Sequence, residues 1–394
     1  MSKSKPKSKL KKFFSVRNIL SLITLALLAY VIYAARDEIL QAFNYLGSTN
    51  LWFILLLIPE QILMYYCVGQ MFFSYLKAKQ DTEKEKSLVK AETREARERI
   101  VKRYEKKRIS TWELIRVSFE LNFVNHAIPS GGVAGLGYIS WRLKKFGSSV
   151  GQTSFMYLLR YGITILANQV QVLIAVLALL IFGLVPTDGM WVVGLALLVS
   201  FGIVFALVAV IIIASKKARI DKFADFATKF LDKLVQIVTF GHKKKALDYE
   251  KIQKYFYDLH ANLVIAKRNK KILIKPILWG LLYSFLEVAT YWLVGMSMGH
   301  PDVLLQFMVA EAIASAIGAV MFTPGGVGGY EGAMILVTGA LGIELGLSTA
   351  IVVTTRVIVL LGTILTGYGF YQYAISKIGK EDRKEIEEIN EHDA

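Results

Sequence analysis

The chain has 394 residues, 54% of them hydrophobic, and a formal net charge of +16. Several apolar runs exceed the ~18 residues needed to cross a bilayer, which excludes a water-soluble globular protein. A single cysteine, Cys67, excludes a disulfide framework or a cysteine-based metal site within one chain. The basic excess lies beside the apolar runs, where the positive-inside bias accounts for it without nucleic acid.

Residues 1–17 hold seven Lys or Arg and no acid, a basic cytoplasmic tail before an apolar run from about Asn18 to Ala35. No small-residue cleavage site follows, which predicts a retained first span. The loop Arg36 to Asn50 has one base and two acids and suits the outer face; Leu51 to Leu76 then returns inward. From Lys77 to Arg108 the composition turns to 13 basic and seven acidic residues without glycine or proline, predicting a solvated helical linker.

Thr111 to Val150 is interrupted at PSGGVAGLGY. A long apolar run from about Gln152 to Leu184, a turn at VPTDG and a run from Met190 to Ala214 follow, and both runs are predicted to cross. Ser215 to Lys275 carries 16 basic and six acidic residues with apolar side chains at helical spacing. That pattern predicts amphipathic helices on the inner leaflet, held by anionic lipid. Pro276 to Gly299 crosses outward, Asp302 to Gly346 is interrupted at PGGVGGYEG, and Leu347 to Ser376 returns to a charged tail, residues 377–394.

The interruptions repeat. Pro129 opens the first and Arg160 follows; Pro324 opens the second and Arg356 follows, at intervals of 195 and 196 residues. Glu60 and Glu287 sit on the apolar segment upstream of each. The expected fold is therefore an all-α polytopic membrane protein of about six full spans and two broken, re-entrant hairpins. Its transmembrane domain covers 18–376, with repeat A at about 51–184 and repeat B at about 276–376. Loop charges are satisfied if the first hairpin enters from the cytoplasm and the second from outside, which makes the repeat inverted and puts a site near the midplane.

A helix broken by Pro-Ser-Gly-Gly or Pro-Gly-Gly leaves backbone groups unpaired, at several kcal/mol each in hydrocarbon, so such backbone lines a protein interior or a wet cavity. The candidate contacts there are Pro129, Gly131 and Gly132 in the first break and Pro324, Gly325, Gly326, Gly328 and Gly329 in the second. A hinge or small-residue packing is the alternative. Embedded ionisable residues are Glu60, Arg160, Glu287, Glu311, Glu331 and Arg356. They are either structural ion pairs, one set per repeat, or a site where arginines hold a lipid phosphate and carboxylates receive a cationic headgroup. Asn122, Asn125 and His126 precede the first break and could line its cavity. Glu113, Arg116 and Glu120 form a polar stripe, solvated or internally paired. No GxxxxGK[ST], HExxH or GxSxG motif is present, so no cofactor, metal or nucleotide is expected.

The NFVNHAIPSGGVAGLGY…LKKFG…LLRY and FTPGGVGGYEGAM…TTR blocks resemble the transmembrane region of the lysylphosphatidylglycerol synthase/flippase family, over roughly residues 15 to 376. The resemblance implies a lipid flippase unit acting on lysylphosphatidylglycerol or another modified phospholipid. In bifunctional members a cytosolic aminoacyltransferase domain follows; this chain ends at Ala394 in a short tail, so that domain is expected to be missing. The first break also departs from the family's Gly-Glu pair, with Ala134, Gly135 and Leu136 in that region, and Glu331 alone keeps the acid. The expected partners are a membrane phospholipid substrate and anionic inner-leaflet lipids, with a second copy of the chain or a separate lipid-modifying enzyme left open. A phosphatidylglycerol lysyltransferase role and a non-transporting scaffold are the competing functions.

Overall fold

The computed structural model describes residues 33, 36, 40, 45, 49–105, 108–128, 132–214, 249–320 and 328–377. Among them all regular structure is helical. The predicted first span apart from residue 33 lies outside this set, as do residues 215–248 and Pro129, Gly131, Pro324, Gly325 and Gly326. Eleven helices carry the described fold. They are α1 (Leu51–Val89), α2 (Arg94–Glu105), α3 (Thr111–Ala127), α4 (Val133–Lys144), α5 (Val150–Ile181), α6 (Met190–Ala214), α7 (Tyr249–Arg268), α8 (Lys271–Ser297), α9 (Leu304–Val320), α10 (Gly329–Ala340) and α11 (Leu345–Val359). The last continues through a π-helical stretch, Leu360–Ile364, to Lys377.

Among the described residues, five helical stretches are long and apolar enough to cross a bilayer: Leu51–Val89, Val150–Ile181, Thr187–Ala209, Lys271–Ser297 and Leu345–Lys377. The chain is an all-α, multi-pass membrane protein. One boundary differs from expectation. The span and the charged linker at Lys77 are a single 39-residue helix, about 58 Å long at 1.5 Å per residue and so longer than any bilayer core. The change at Lys77 marks where α1 leaves the apolar layer, since good helix formers such as Lys, Glu and Gln carry the backbone onward. The chain turns only after Val89.

Side-chain caps set several helix starts. Asn50 Oδ1 accepts from Trp52 N (3.1 Å), Ser110 Oγ from Glu113 N (3.2 Å) and Ser149 Oγ from Gln152 N (3.1 Å). The two breaks produce matching hairpins. Helices α3 and α4 have 17 and 12 residues, and α9 and α10 again have 17 and 12. Helix α4 starts at Gly132 with φ 88° and α10 at Gly328 with φ 95°, a left-handed backbone that glycine adopts without strain.

The corresponding helices α1 and α8 run antiparallel along their length. Asn50 N donates to Ser297 O at 2.7 Å at one end, Gln61 Nε2 donates to Thr290 Oγ1 at 3.3 Å further in, and Met71 reaches Gly280 beyond that. The hairpins open at opposite ends of this pair. Phe146, after α4, takes a hydrogen bond from Gln80 Nε2 at 3.0 Å, whereas Gly295 lies against His300 and Val303 at the mouth of the second hairpin. Equivalent helices thus point in opposite directions, which is the inverted repeat. Broken helix ends in a bilayer survive where protein buries them or where they line a wet cavity, and paired inverted halves supply such an interior.

Two cores result. One joins α1 residues 68–76 to α3, α4, α5 and the Ala266 turn of α7; the other joins the ends of α5 and α8 to α6, α9, α10 and α11. Helix α7 docks on the first core, with Tyr75 Oη donating to Asn262 O at 3.2 Å and Lys79 Nζ to Asn262 Oδ1 at 3.1 Å. The halves also clasp each other where Gly367, beyond α11, meets the α3 backbone. A Cβ at Gly367 would lie 2.6 Å from Phe119 O and 2.7 Å from Phe123 Cβ. Gly367→Ala is expected to cost about 1–3 kcal/mol, because the backbone carbonyl cannot rotate away as a side chain would. A lowered unfolding temperature in detergent, with no change for Gly369→Ala, is the check; Gly369 has open space around it.

Candidate functional site

Between the two cores lies a cavity of about 430 Å³, within the ~300–1,000 Å³ range of small-molecule sites. Both repeats line it: Gln61 and Tyr65 from α1, Asn122, Asn125 and His126 from α3, Arg160 and Tyr161 from α5, Tyr283, Glu287, Thr290 and Tyr291 from α8, Ser315 from α9, Tyr330 from α10, and Thr355 and Arg356 from α11. It sits level with the middle of the apolar runs of α1 and α8.

Arg160 reaches this cavity without an ion-pair partner among the described residues. Its Cζ lies 5.1 Å from the Tyr161 ring centroid, 5.9 Å from Phe72 and 6.0 Å from Tyr283. Its Nε has no hydrogen-bond partner, and no ion pair joins it to any described residue. Cation–π contacts hold a guanidinium over ring faces while leaving its N–H fork unspent. A charge so placed in an apolar span is expensive unless something anionic completes it.

Arg356 is built differently. Its Nε lies 2.7 Å from Glu331 Oε1, and its Cζ sits 5.3 Å over Tyr330. The other carboxylate oxygen, Glu331 Oε2, accepts from Gly328 N at 2.7 Å, so one acid both caps α10 and anchors the second arginine. Glu331 therefore stands behind Arg356 rather than on the cavity surface.

Of the remaining described acids, Glu287 alone lines the cavity, and Tyr283 Oη donates to its Oε1 at 3.3 Å. Glu60 is buried one layer back, taking hydrogen bonds from Gln61 Nε2 (2.9 Å) and Thr290 Oγ1 (3.3 Å). Glu311 is also buried, accepting from Asn168 Nδ2 (3.0 Å) and Ser315 Oγ (2.5 Å). At the first tip, Tyr157 Oη donates to Gly132 O at 3.0 Å and lies 3.2 Å from Asn125 Oδ1, fixing the start of α4 to α3 and α5. A Cβ at Gly135 would fall 1.9 Å from Asn125 Oδ1, so Gly135 lets the hairpin arms close. Gly329 opens α10 one residue after the Gly328 cap. His126 Nδ1 donates to Asn122 O at 2.9 Å, and Asn122 Nδ2 donates to Thr363 Oγ1 at 3.4 Å in the π-helical stretch. Among the described residues no group of three His, Cys, Asp or Glu is arranged to hold a metal.

The arrangement has one unspent guanidinium, one clamped guanidinium and one carboxylate facing a shared polar volume at mid-depth. It can hold a small dianion or monoanion at Arg160 and a hydroxyl or cation at Glu287. Comparison with protein families adds the frame. The profile described as "Lysylphosphatidylglycerol synthase TM region" matches residues 18–367. The chain belongs to this family. No curated protein and no solved structure matches it.

The family region includes a charge cluster only half legible in the sequence. Glu113, Arg116 and Glu120 do not face solvent; α4 supplies Arg142, whose side chain is fully buried, to bind them. Arg142 Nε lies 2.7 Å from Glu120 Oε2 and its Nη2 2.9 Å from Glu113 Oε1, while Arg116 pairs with both acids and Lys145 Nζ reaches Glu113 at 2.9 Å. Tyr138 Oη completes Glu120 at 2.7 Å. This cluster staples the arms of the first hairpin and lies away from the cavity. Sequence reasoning also missed the tyrosines at positions 65, 157, 161, 283, 291 and 330. Their only signal is that polar-tipped aromatics recur within the same runs as the embedded charges.

Proposed function

We propose that the protein moves a phosphate-bearing phospholipid headgroup between leaflets of the cell membrane, with both termini cytoplasmic as the loop charges imply. The observation that carries this is Arg160, held by three aromatic rings with its N–H donors unspent and facing a polar cavity shared by two inverted halves. A phosphate fits such a fork bidentately. Arg356, braced by Glu331, offers a second phosphate contact, and Glu287 receives the hydroxyl or amine of the headgroup. The Gly132 and Gly328 turns lend close backbone approach at the two hairpin tips. About 430 Å³ suits a headgroup and leaves the acyl chains in the bilayer. A lysylated phosphatidylglycerol, as the family description suggests, would present an amine to Glu287; other phosphate-bearing lipids satisfy the same chemistry.

The test quantifies total and outer-leaflet lipids, by mass spectrometry and an impermeant amine label, in cells with and without the protein. Translocation gives unchanged totals and a protein-dependent outward shift. Glu331→Gln removes the acid that braces Arg356 and is expected to reduce that shift roughly tenfold, the equivalent of one charge-assisted contact. If aminoacylated lipid arises only when the protein is present, lipid synthesis replaces translocation as the function.

A further inference from the structure

The two arginines do not account for the acids around the cavity. Glu331 takes Arg356, and Arg160 has only Glu287 across the cavity, which leaves two buried acids without a cation, Glu60 on α1 and Glu311 on α9, of which Glu311 is the more deeply buried. Its side chain is 2% exposed. Among the described residues its hydrogen-bond partners are neutral, and no ion pair reaches it. A carboxylate taken out of water at mid-depth with only neutral partners is stable when it carries a proton or meets an incoming charge.

The groups that face Glu311 point the same way. Glu287, Tyr283 and Tyr291 on α8 and Tyr330 on α10 lie within electrostatic reach of Glu311. Helix α5 presents Asn168 to it, with Arg160 of the same helix at the cavity, and Arg356 enters the cavity from α11. Helix α6 packs nearby and carries no titratable residue. On one side the carboxyl is fixed. Gln171 Nε2 donates to Ser284 Oγ, Ser284 Oγ donates to Asn168 Oδ1, and Asn168 Nδ2 donates to Glu311 Oε2, a buried chain that orients this oxygen as an acceptor. On the other side, Oε1 meets the Ser315 hydroxyl at 2.5 Å, and Ser315 lines the cavity. A hydroxyl can donate to the ionised acid or accept from the protonated one, so the pair serves both states without rearrangement.

We infer that Glu311 is a proton-carrying site that loads and unloads through Ser315 and couples proton movement to headgroup movement. In unloading, the Glu311 Oε1–H bond breaks and a bond to Ser315 Oγ forms, while the hydroxyl's own proton passes to water or a phosphate oxygen in the cavity. Loading reverses these steps. The coupling rests on the translocation reading. An anionic phosphate at Arg160 adds negative charge beside Glu287 and Glu311 and favours the protonated acid, whereas in the empty cavity the Arg160 charge stays uncancelled by phosphate and favours the ionised one. Lipid and proton therefore travel together, and the cargo accumulates in the leaflet facing the alkaline side.

The test uses full-length protein in vesicles containing phosphatidylglycerol with a fluorescent headgroup. Infrared difference spectra between acidic and alkaline buffers are expected to show a carboxyl C=O band that Glu311→Gln removes and Glu60→Gln leaves in place. One proton per lipid makes a one-unit pH gradient worth about a tenfold leaflet ratio. The wild type should reach that ratio, and Glu311→Gln should equilibrate lipid without it. Ser315→Ala should keep the band and slow its exchange in deuterated buffer, which tests the route even if Glu311→Gln misfolds. A titrating band left unchanged by Glu311→Gln, or wild-type movement indifferent to the gradient, overturns the inference. If wild-type vesicles move no lipid under any gradient, the translocation reading and the coupling both fall, and the band alone then shows whether Glu311 exchanges a proton.

Discussion

Arg160→Gln is expected to lower headgroup movement roughly a hundredfold. The loss corresponds to two charge-assisted hydrogen bonds of about 1.5 kcal/mol each. The fold should not suffer, because the substitution removes a cation that makes no direct ion pair with any described acid, and Gln retains a polar tip among Tyr161, Tyr283 and Phe72. Stability in detergent should be unchanged or raised. Arg160→Lys keeps the charge but not the planar fork, so a loss of roughly tenfold is expected, one contact instead of two. The measurement is leaflet redistribution of a headgroup-labelled phospholipid in reconstituted vesicles, read beside thermal unfolding. Activity that tolerates Arg160→Gln would sink the phosphate assignment and favour a scaffold, for which embedded charges need only be compatible with folding.

The opposite division is expected at Arg142. Its guanidinium is buried against Glu113 and Glu120, both of which would lose a counter-charge in Arg142→Ala. Removing one partner of a buried ion pair costs about 3–5 kcal/mol, because the remaining charge is stranded rather than solvated. Glu113 keeps Arg116 and Lys145, so Glu120, fully buried, bears most of the penalty. A steep fall in unfolding temperature should result, with the first hairpin exchanging amide hydrogens fastest. Pairing Arg142→Met with Glu120→Met should recover most of the stability, since apolar replacement of both partners removes the desolvation problem itself. Failure of that double variant to recover would mean that Tyr138 and Arg116 depend on the acid for more than charge balance.

The contrast between these arginines also explains how much of the site was legible. Arg160 and Arg356 stood out because each lies in an apolar run at the same distance from a glycine break, and embedded charge is costly enough to be informative wherever it occurs. Arg142 did not stand out. It sits in WRLKKFG, where a string of cations reads as an interfacial helix end, and only the packing of α4 on α3 turns it into a buried partner. Glu331 was legible as an embedded acid, but its division between the Gly328 cap and Arg356 depends on where the second hairpin tip meets α11. The run from Leu51 to Leu76 was recognisable as a span, whereas the continuation of the same helix to Val89 was hidden by the change in composition at Lys77.

Composition and pattern by themselves determined the membrane class, the spans after Asn50, the two breaks and the pairing of their arginines. Each of these follows from a local cost that every residue in hydrocarbon must meet: apolar side chains outward, backbone groups satisfied, charge rare. Which carboxylates face the cavity, which support it from behind and which staple a hairpin was decided by tertiary structure alone. Those roles depend on distances between helices far apart in the chain, as between Glu60 and Thr290 or Asn168 and Glu311. The strength of a charge contact inside a membrane protein is set by those separations and by the water they exclude, and neither is written in the order of the residues.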